Sequence, residues 1–186
     1  MKSKRIIRLI IIISIFISNS GFSQENEQPV NNGKFGNRLF TGGNLGLQFG
    51  TETMIDVSPI IGYKFTKRFA AGIGIVYQYY SSKIYNTVFK TSIYGGSIFT
   101  RFYIIDNVFL HAEYEALSLE TAVFDPYPSV HHQKRFWIGN PLAGGGYRQM
   151  IGDMSSFNIM ILYNFNETIY TPYSNPIIRV GVNLGI

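Results

Sequence analysis

Eight ionisable residues stand inside runs that alternate apolar with small or polar residues: Asp56, Lys64, Arg101, His111, Glu113, Glu115, Arg148 and Arg179. His111, Glu113 and Glu115 recur every second position, so an extended chain puts an imidazole and two carboxylates on one face. That trio has the residue types for acid–base chemistry or for the start of a metal site. It lacks a second imidazole or a thiolate at metal-ligand spacing, so it reads equally well as a set of buried charges, each needing a partner. Arg101 is the candidate partner. A tight turn at Asp106-Asn107 sets it opposite His111 and one diagonal step from Glu113.

A second constellation lies further along the chain. "VFDPYPSVHHQK" places His131-His132 near Ser129 and Asp125, with Glu120 just before. A lipid-modifying hydrolase would need a hydroxyl nucleophile and a base, and Ser129 with either histidine has those types without a compact His-x-Ser pattern. Adjacent histidines in an extended chain point to opposite sides, so they chelate one metal only where the backbone bends. "NETIYTPYSNP" is the third segment of interest. Together the two segments carry Tyr127, Tyr170 and Tyr173 beside Pro126, Pro128, Pro172 and Pro176. Tyrosine on a proline-stiffened loop suits surface recognition, with His131 and His132 alongside; tyrosine at a membrane boundary is the alternative.

The elements that must position these residues are strands. Alternation with period two recurs in eight segments, roughly 39–50, 54–65, 69–80, 88–104, 108–119, 135–150, 156–166 and 176–186, each bounded by Gly, Asn, Asp, Pro or Ser. In the third, Phe69, Ala71, Ile73, Ile75, Tyr77 and Tyr79 oppose Gly72, Gly74 and Gln78. In the second, Ile60 is the only large aliphatic in the middle of the polar face.

Alternation alone does not say which face is inside, because a soluble barrel buries the apolar face and a transmembrane barrel the polar one. The polar faces here carry Gly, Asn, Gln and Ser with isolated charges, not the Lys- and Glu-rich face of a solvated sheet. Aromatic residues also bracket the aliphatics: Phe69 and Tyr77/Tyr79 in the third segment, Phe157 and Tyr163/Phe165 in the seventh. Phe69 to Tyr79, tilted by ~40°, spans roughly 25 Å, the height of the apolar band on an outer-membrane barrel. Tight turns at Lys67, Asp106 and Gly152 fall at every second junction and belong on the periplasmic side, so the other junctions, Thr51–Thr53, Ser81–Thr87, Glu120–Lys134 and Glu167–Asn175, are the surface loops. The fold class is therefore all-β: an eight-stranded antiparallel up-and-down transmembrane β-barrel. The eight ionisable residues then form a charge network in its lumen, since Arg or Lys facing lipid at the midplane costs ~2–4 kcal/mol.

The front of the chain sets the compartment. Lys2, Lys4, Arg5 and Arg8 precede an apolar stretch from Leu9 to Ile17, and Gly21-Phe22-Ser23 supplies a small-x-small cleavage site. Residues 1–23 read as a cleaved signal peptide, 24–37 as a flexible lead-in and 38–186 as the barrel. The apolar stretch falls short of the ~20 residues of a spanning helix. Of 16 Lys+Arg against 11 Asp+Glu, four lie in the signal, which leaves 12 against 11 and no basic excess for nucleic acid to recognise. No cysteine is present, which excludes disulfides, thiolate metal sites and a cysteine nucleophile.

"GYKFTKRFAAGIGIVYQYY", "RFYIIDNVFLHAEYE" and "GGGYRQMIGDMSSFNIMILYNFNE" resemble the hairpins of small outer-membrane barrels of the OmpA/OmpX-like group, including members common in Bacteroidota. The resemblance covers nearly the whole mature chain. It implies export to the outer membrane of a Gram-negative cell, contact with outer-membrane lipid and lipopolysaccharide, and handling by the barrel-assembly machinery. It implies no catalytic residues, no cofactor and no metal. Such barrels commonly finish on an aromatic residue, whereas this chain finishes on Ile186. The functional expectation is a structural or surface-interaction (adhesion-type) role through the outer loops, with a lipid-A- or phospholipid-modifying enzyme and a narrow pore or small-solute binder as alternatives.

Overall fold

The computed structural model describes residues 38–48, 52–84, 87–125 and 134–185. The proposed signal peptide and lead-in, Tyr127, His131, His132 and Ile186 lie outside the described residues. Eight strands follow one another: β1 (Leu39–Gln48), β2 (Glu52–Lys64), β3 (Phe69–Ile84), β4 (Thr87–Ile105), β5 (Val108–Glu120), β6 (Arg135–Met150), β7 (Ser155–Asn164) and β8 (Ile177–Gly185). Each pairs antiparallel with the next, and β8 returns to pair with β1, from Phe40 opposite Gly185 to Gly46 opposite Arg179. The result is a closed eight-stranded up-and-down barrel with no free sheet edge along the paired wall.

The turns are made by the residues the sequence offers for them. After β2, Thr66 Oγ1 accepts from the backbone N–H groups of Arg68 and Phe69 at 3.1 and 2.9 Å, and Thr66 N donates to Phe69 O. Asp106-Asn107 alone joins β4 to β5, and Asn107 Nδ2 donates to Arg148 O at 2.9 Å, tying the turn to β6. Ile151 N donates to Ser155 O to close the β6–β7 turn. All three lie at one end of the barrel, here the turn end; the two longest connections, β5–β6 and β7–β8, lie at the other, here the loop end.

One expected loop is largely strand among the described residues. The sequence places a surface loop over Ser81 to Thr87, but Ser81, Ser82, Lys83 and Ile84 continue the β3–β4 ladder opposite Lys90, Phe89, Val88 and Thr87. Polar residues interrupt the hydropathy signal without interrupting backbone pairing, so the strand outlasts its pattern. Beyond β5 the chain also makes a single helical turn, α1 (Thr121–Phe124), which alternation does not foretell. It buries Phe124 against the Tyr80 ring, with centroids 4.8 Å apart.

The two faces of the wall divide sharply. Outward positions are aliphatic and aromatic: Ile73, Ile75, Ile98 and Ile161 are 57–66% exposed. Inward positions hold every fully enclosed charge together with Asn44, Ser58, Gln78, Ser97, Asn140 and Asn158. The interior is not purely polar, however. Ile93, Phe99, Phe109, Leu117, Leu119, Met160 and Leu162 are buried there too, because an eight-stranded barrel is filled by its own side chains and polar atoms alone do not fill it.

Candidate functional site

The interior is built in layers, and the lowest is a set of aromatic rings lying on glycine. Phe40 faces Gly62, Phe99 faces Gly72 and Phe109 faces Gly146 in directly opposed cross-strand pairs. A Cβ on Gly146 would stand 2.5 Å from the Phe109 ring and one on Gly72 2.6 Å from the Phe99 ring; one on Gly62 would collide with Phe40. Glycine at these inward positions therefore lets a ring fold flat onto the neighbouring strand and fill the narrow lumen. Arg101 rests between two of these rings, its guanidinium carbon 5.2 Å from the Phe99 centroid and 5.3 Å from that of Phe109.

Arg101 and His111 are opposed residues of β4 and β5, the register set by the two-residue turn. Arg101 Nε donates to His111 Nδ1 at 3.2 Å. Because a guanidinium only donates, His111 Nδ1 is the accepting nitrogen, and Nε2 carries the proton given to Glu113 Oε2 at 3.1 Å. Both ring nitrogens are thus occupied, and the His111 face presents no open ligand position. With the Asn183 amide turned so that its oxygen faces both donors, that oxygen accepts from Arg101 Nη1 and from Asn158 Nδ2, each at 2.9 Å.

The hub of the network is Arg179, and here the expected pairing changes. Arg101 does not meet Glu113 directly; it reaches it through His111, and the guanidinium on Glu113 belongs to Arg179. Arg179 Nη1 lies 3.0 Å from Glu113 Oε2, while Nη2 lies 2.7 Å from Glu115 Oε1 and 3.1 Å from Asp56 Oδ2. All these side chains are enclosed, Arg179 and Glu115 completely. Strand order conceals this, because Arg179 on β8 faces Glu113 and Glu115 on β5 across the lumen and not along the wall. Asp56 is held in turn by Ser58, whose Oγ donates to Oδ1 at 2.5 Å.

Lys64 and Arg148 also face inward but stand apart from this hub, half-buried at the turn-end mouth. Arg148 donates to Asp106 O from Nε and Nη2 at 3.1 and 2.6 Å and covers the Tyr103 ring, with 4.3 Å to its centroid. Both residues come from the last turn of wall before a hairpin, so their side chains reach the opening and not the middle.

Tyr173 corrects a sequence expectation. Its loop suggests a recognition residue or a membrane-boundary tyrosine, yet it is 6% exposed and enters the barrel from the β7–β8 connection. Its hydroxyl donates to Glu115 Oε2 and accepts from Gln78 Nε2 at 2.5 Å and Arg179 Nη2 at 3.2 Å. The connection that carries it is folded back over the wall. Asn164 and Asn175 exchange hydrogen bonds of 2.8 and 2.9 Å, Phe165 N donates to Pro141 O, and Asn166 Nδ2 donates to Gly139 O at 2.7 Å. Outside the wall, Asn175 Nδ2 at 2.5 Å and Tyr163 at 2.9 Å donate to Glu167 and hold its carboxyl below the ordinary range. No pattern in "NETIYTPYSNP" separates a tyrosine that turns in from one that turns out. Tyr170, from the same segment, is half-buried with its ring edge-on to Phe136 at 5.5 Å.

Chemically the interior is a packed ionic core between an aromatic floor and a tyrosine cap. Its free space includes a cavity of about 190 Å³ near Asp56 and one of about 30 Å³ at the turn-end mouth. The fold and this filled interior define the class, a closed eight-stranded β-barrel with an apolar outer wall. No protein-family model and no curated protein matches the chain. Among solved structures it is similar to a de novo designed transmembrane β-barrel (10% identity, TM-score 0.41, covering 83% of this chain and 98% of that one). It is also similar to the N-terminal β-barrel domain of Pseudomonas aeruginosa OprF (12% identity, TM-score 0.42, covering 80% and 96%).

Proposed function

We propose that this protein is an integral outer-membrane β-barrel of a Gram-negative cell, serving as a membrane-spanning scaffold that presents its loop end to the surroundings. One observation carries the reading: the wall is apolar all round its outside while its charges are drawn inside. Leu45, Ile55, Ile73, Ile98, Leu110, Ile159, Ile161 and Val182 are each 39–62% exposed. In water such a continuous belt would be far larger than the patches soluble monomers tolerate; against lipid it is the stable arrangement. Aromatic residues frame it, with Phe69, Phe102, Tyr147 and Phe157 toward the turn end and Tyr77, Tyr94, Tyr114, Trp137 and Tyr163 toward the loop end. The basic head and small-x-small site at the front of the chain supply the export route, and outer-membrane lipid and lipopolysaccharide are the surroundings the belt fits.

The test is fractionation with heat-dependent gel mobility. The protein is expected in the outer-membrane fraction, migrating differently before and after boiling, because a closed barrel holds its shape in detergent until heated. Recovery from the soluble periplasm with a single mobility would replace this reading with that of a water-soluble barrel.

A further inference from the structure

The wall has an unzipped point at the seam where it closes. β1 runs to Gln48 and β8 starts at Ile177, yet their ladder ends at Gly46 opposite Arg179, so Leu47 and Ile178 stand side by side without pairing. The cavity of about 190 Å³ opens at this point. It is lined by Gly46, Leu47, Met54, Asp56, Ile177 and Ile178, with Ser174 to Pro176 above. Its outer lip is apolar, since Leu47 and Ile178 are 53% and 52% exposed, and Ile178 pairs with Ile161, two residues from the girdle tyrosine Tyr163. Its inner end is Asp56, 1% exposed, whose Oδ2 lies near Arg179 but out of line for a hydrogen bond and has no hydrogen-bond partner.

Gly46 keeps the space beside that enclosed carboxylate free of a side chain. A Cβ there would stand 3.4 Å from Asp56 Oδ2 and 3.6 Å from Arg179 Cγ, between the carboxylate and the seam. The charge at the inner end fixes the sign of a ligand. Asp56 shares the single guanidinium of Arg179 with Glu113 and Glu115, so the inner end of the cavity is a carboxylate acceptor that suits a cationic donor. The size fixes its shape. At about 190 Å³ the cavity falls below the ~300 Å³ of sites that enclose a whole small molecule, so it takes one end of a molecule whose remainder lies outside.

We propose that the β1–β8 seam is a lateral binding site for a single-chain amphiphile with a primary ammonium head. The ammonium donates to Asp56 Oδ2, and the alkyl chain leaves between Leu47 and Ile178 to lie along the outer wall. The membrane reading decides only where the tail goes; the head site can be tested in micelles.

The experiment uses the folded full chain in nonionic maltoside micelles, titrated with decylammonium, decanol and decyl sulfate, with backbone amide NMR shifts as the readout. Decylammonium is expected to saturate with shifts centred on Gly46, Leu47 and Ile178, and to bind about tenfold or more tightly than decanol, since only the cation meets the buried carboxylate. Gly46→Ala, which needs a shift of only a few tenths of an ångström against Asp56 Cβ at 3.1 Å, should weaken decylammonium about tenfold while heat-dependent mobility is kept. Asp56→Asn should abolish the preference for decylammonium over decanol. Equal binding of all three amphiphiles, shifts spread over the whole belt, or unchanged affinity in Gly46→Ala would each overturn the proposal. The comparison of ligands on the unaltered chain decides it even if a variant does not fold. Loss of heat-dependent mobility in the unaltered chain would instead count against the barrel-in-membrane reading.

Discussion

Arg179 carries more of the interior than any other side chain, because three carboxylates depend on one guanidinium. Removing it leaves Asp56, Glu113 and Glu115 enclosed beside one another with like charge, whereas removing Arg101 leaves an imidazole and an amide without a donor. Breaking a buried ion pair costs on the order of 3–5 kcal/mol and losing a buried hydrogen bond about 1–3 kcal/mol. Arg179→Gln is therefore expected to lower the urea midpoint in detergent much more than Arg101→Gln. The same contacts set the couplings. Arg179→Gln with Glu113→Gln should depart from additivity by roughly 0.5–3 kcal/mol, and Arg101→Gln with Glu113→Gln by less, since His111 stands between that pair. A larger coupling for Arg101 than for Arg179 would contradict the arrangement described. Of these residues the sequence showed the types and the inward face, and it paired Arg101 with His111 through the turn. It could not show Arg179 reaching β5, since nothing local relates strand eight to strand five.

At the scale of the strand, one residue step exchanges lipid for lumen. Ile73 and Ile161 project outward at 59% and 57% exposure, and their strand neighbours Gly72 and Leu162 project inward. Ile73→Arg or Ile161→Arg places a cation in the middle of the apolar belt at ~2–4 kcal/mol, so each is expected to reduce assembled barrel, read as loss of the heat-shifted band. Ile73→Leu and Ile161→Leu should assemble normally. Inward glycines test the same wall from the other side. A Cβ on Gly95 would strike the Ala116 backbone carbonyl, while one on Gly62 would strike only the Phe40 ring, which can turn away. Gly95→Ala should accordingly cost more in urea unfolding than Gly62→Ala. These positions were legible from alternation, which fixed the faces of all eight strands. The end of β3 was not, because Ser81 and Ser82 pair through a backbone that hydropathy does not report.

The whole molecule is a wall around a filled interior, and that filling has a consequence for transport. Arg101, Arg179, Phe109, Leu117, Leu119 and Gln78 are each fully enclosed across the lumen, which leaves no continuous water path through the described barrel. Reconstituted in a planar bilayer, the protein is expected to give no steady single-channel currents, and long-lived ohmic openings in the unaltered chain would show that the interior rearranges. What the sequence determined by itself was the repeating local geometry: eight strands, their faces, their tight turns and hence the closed antiparallel barrel. Each of those follows from contacts within a strand or between chain neighbours, where side-chain period and turn chemistry are written residue by residue. Who meets whom across the lumen, and which loop residues turn inward, came instead from the folded wall as a whole. Arg179 with Glu113 and Glu115, Tyr173 on Glu115, and the unzipped seam beside Gly46 all join residues far apart in the chain or on opposite walls. Their meeting depends on which side chains the shut wall brings face to face and on the volume left between them, and no spacing along the sequence encodes either.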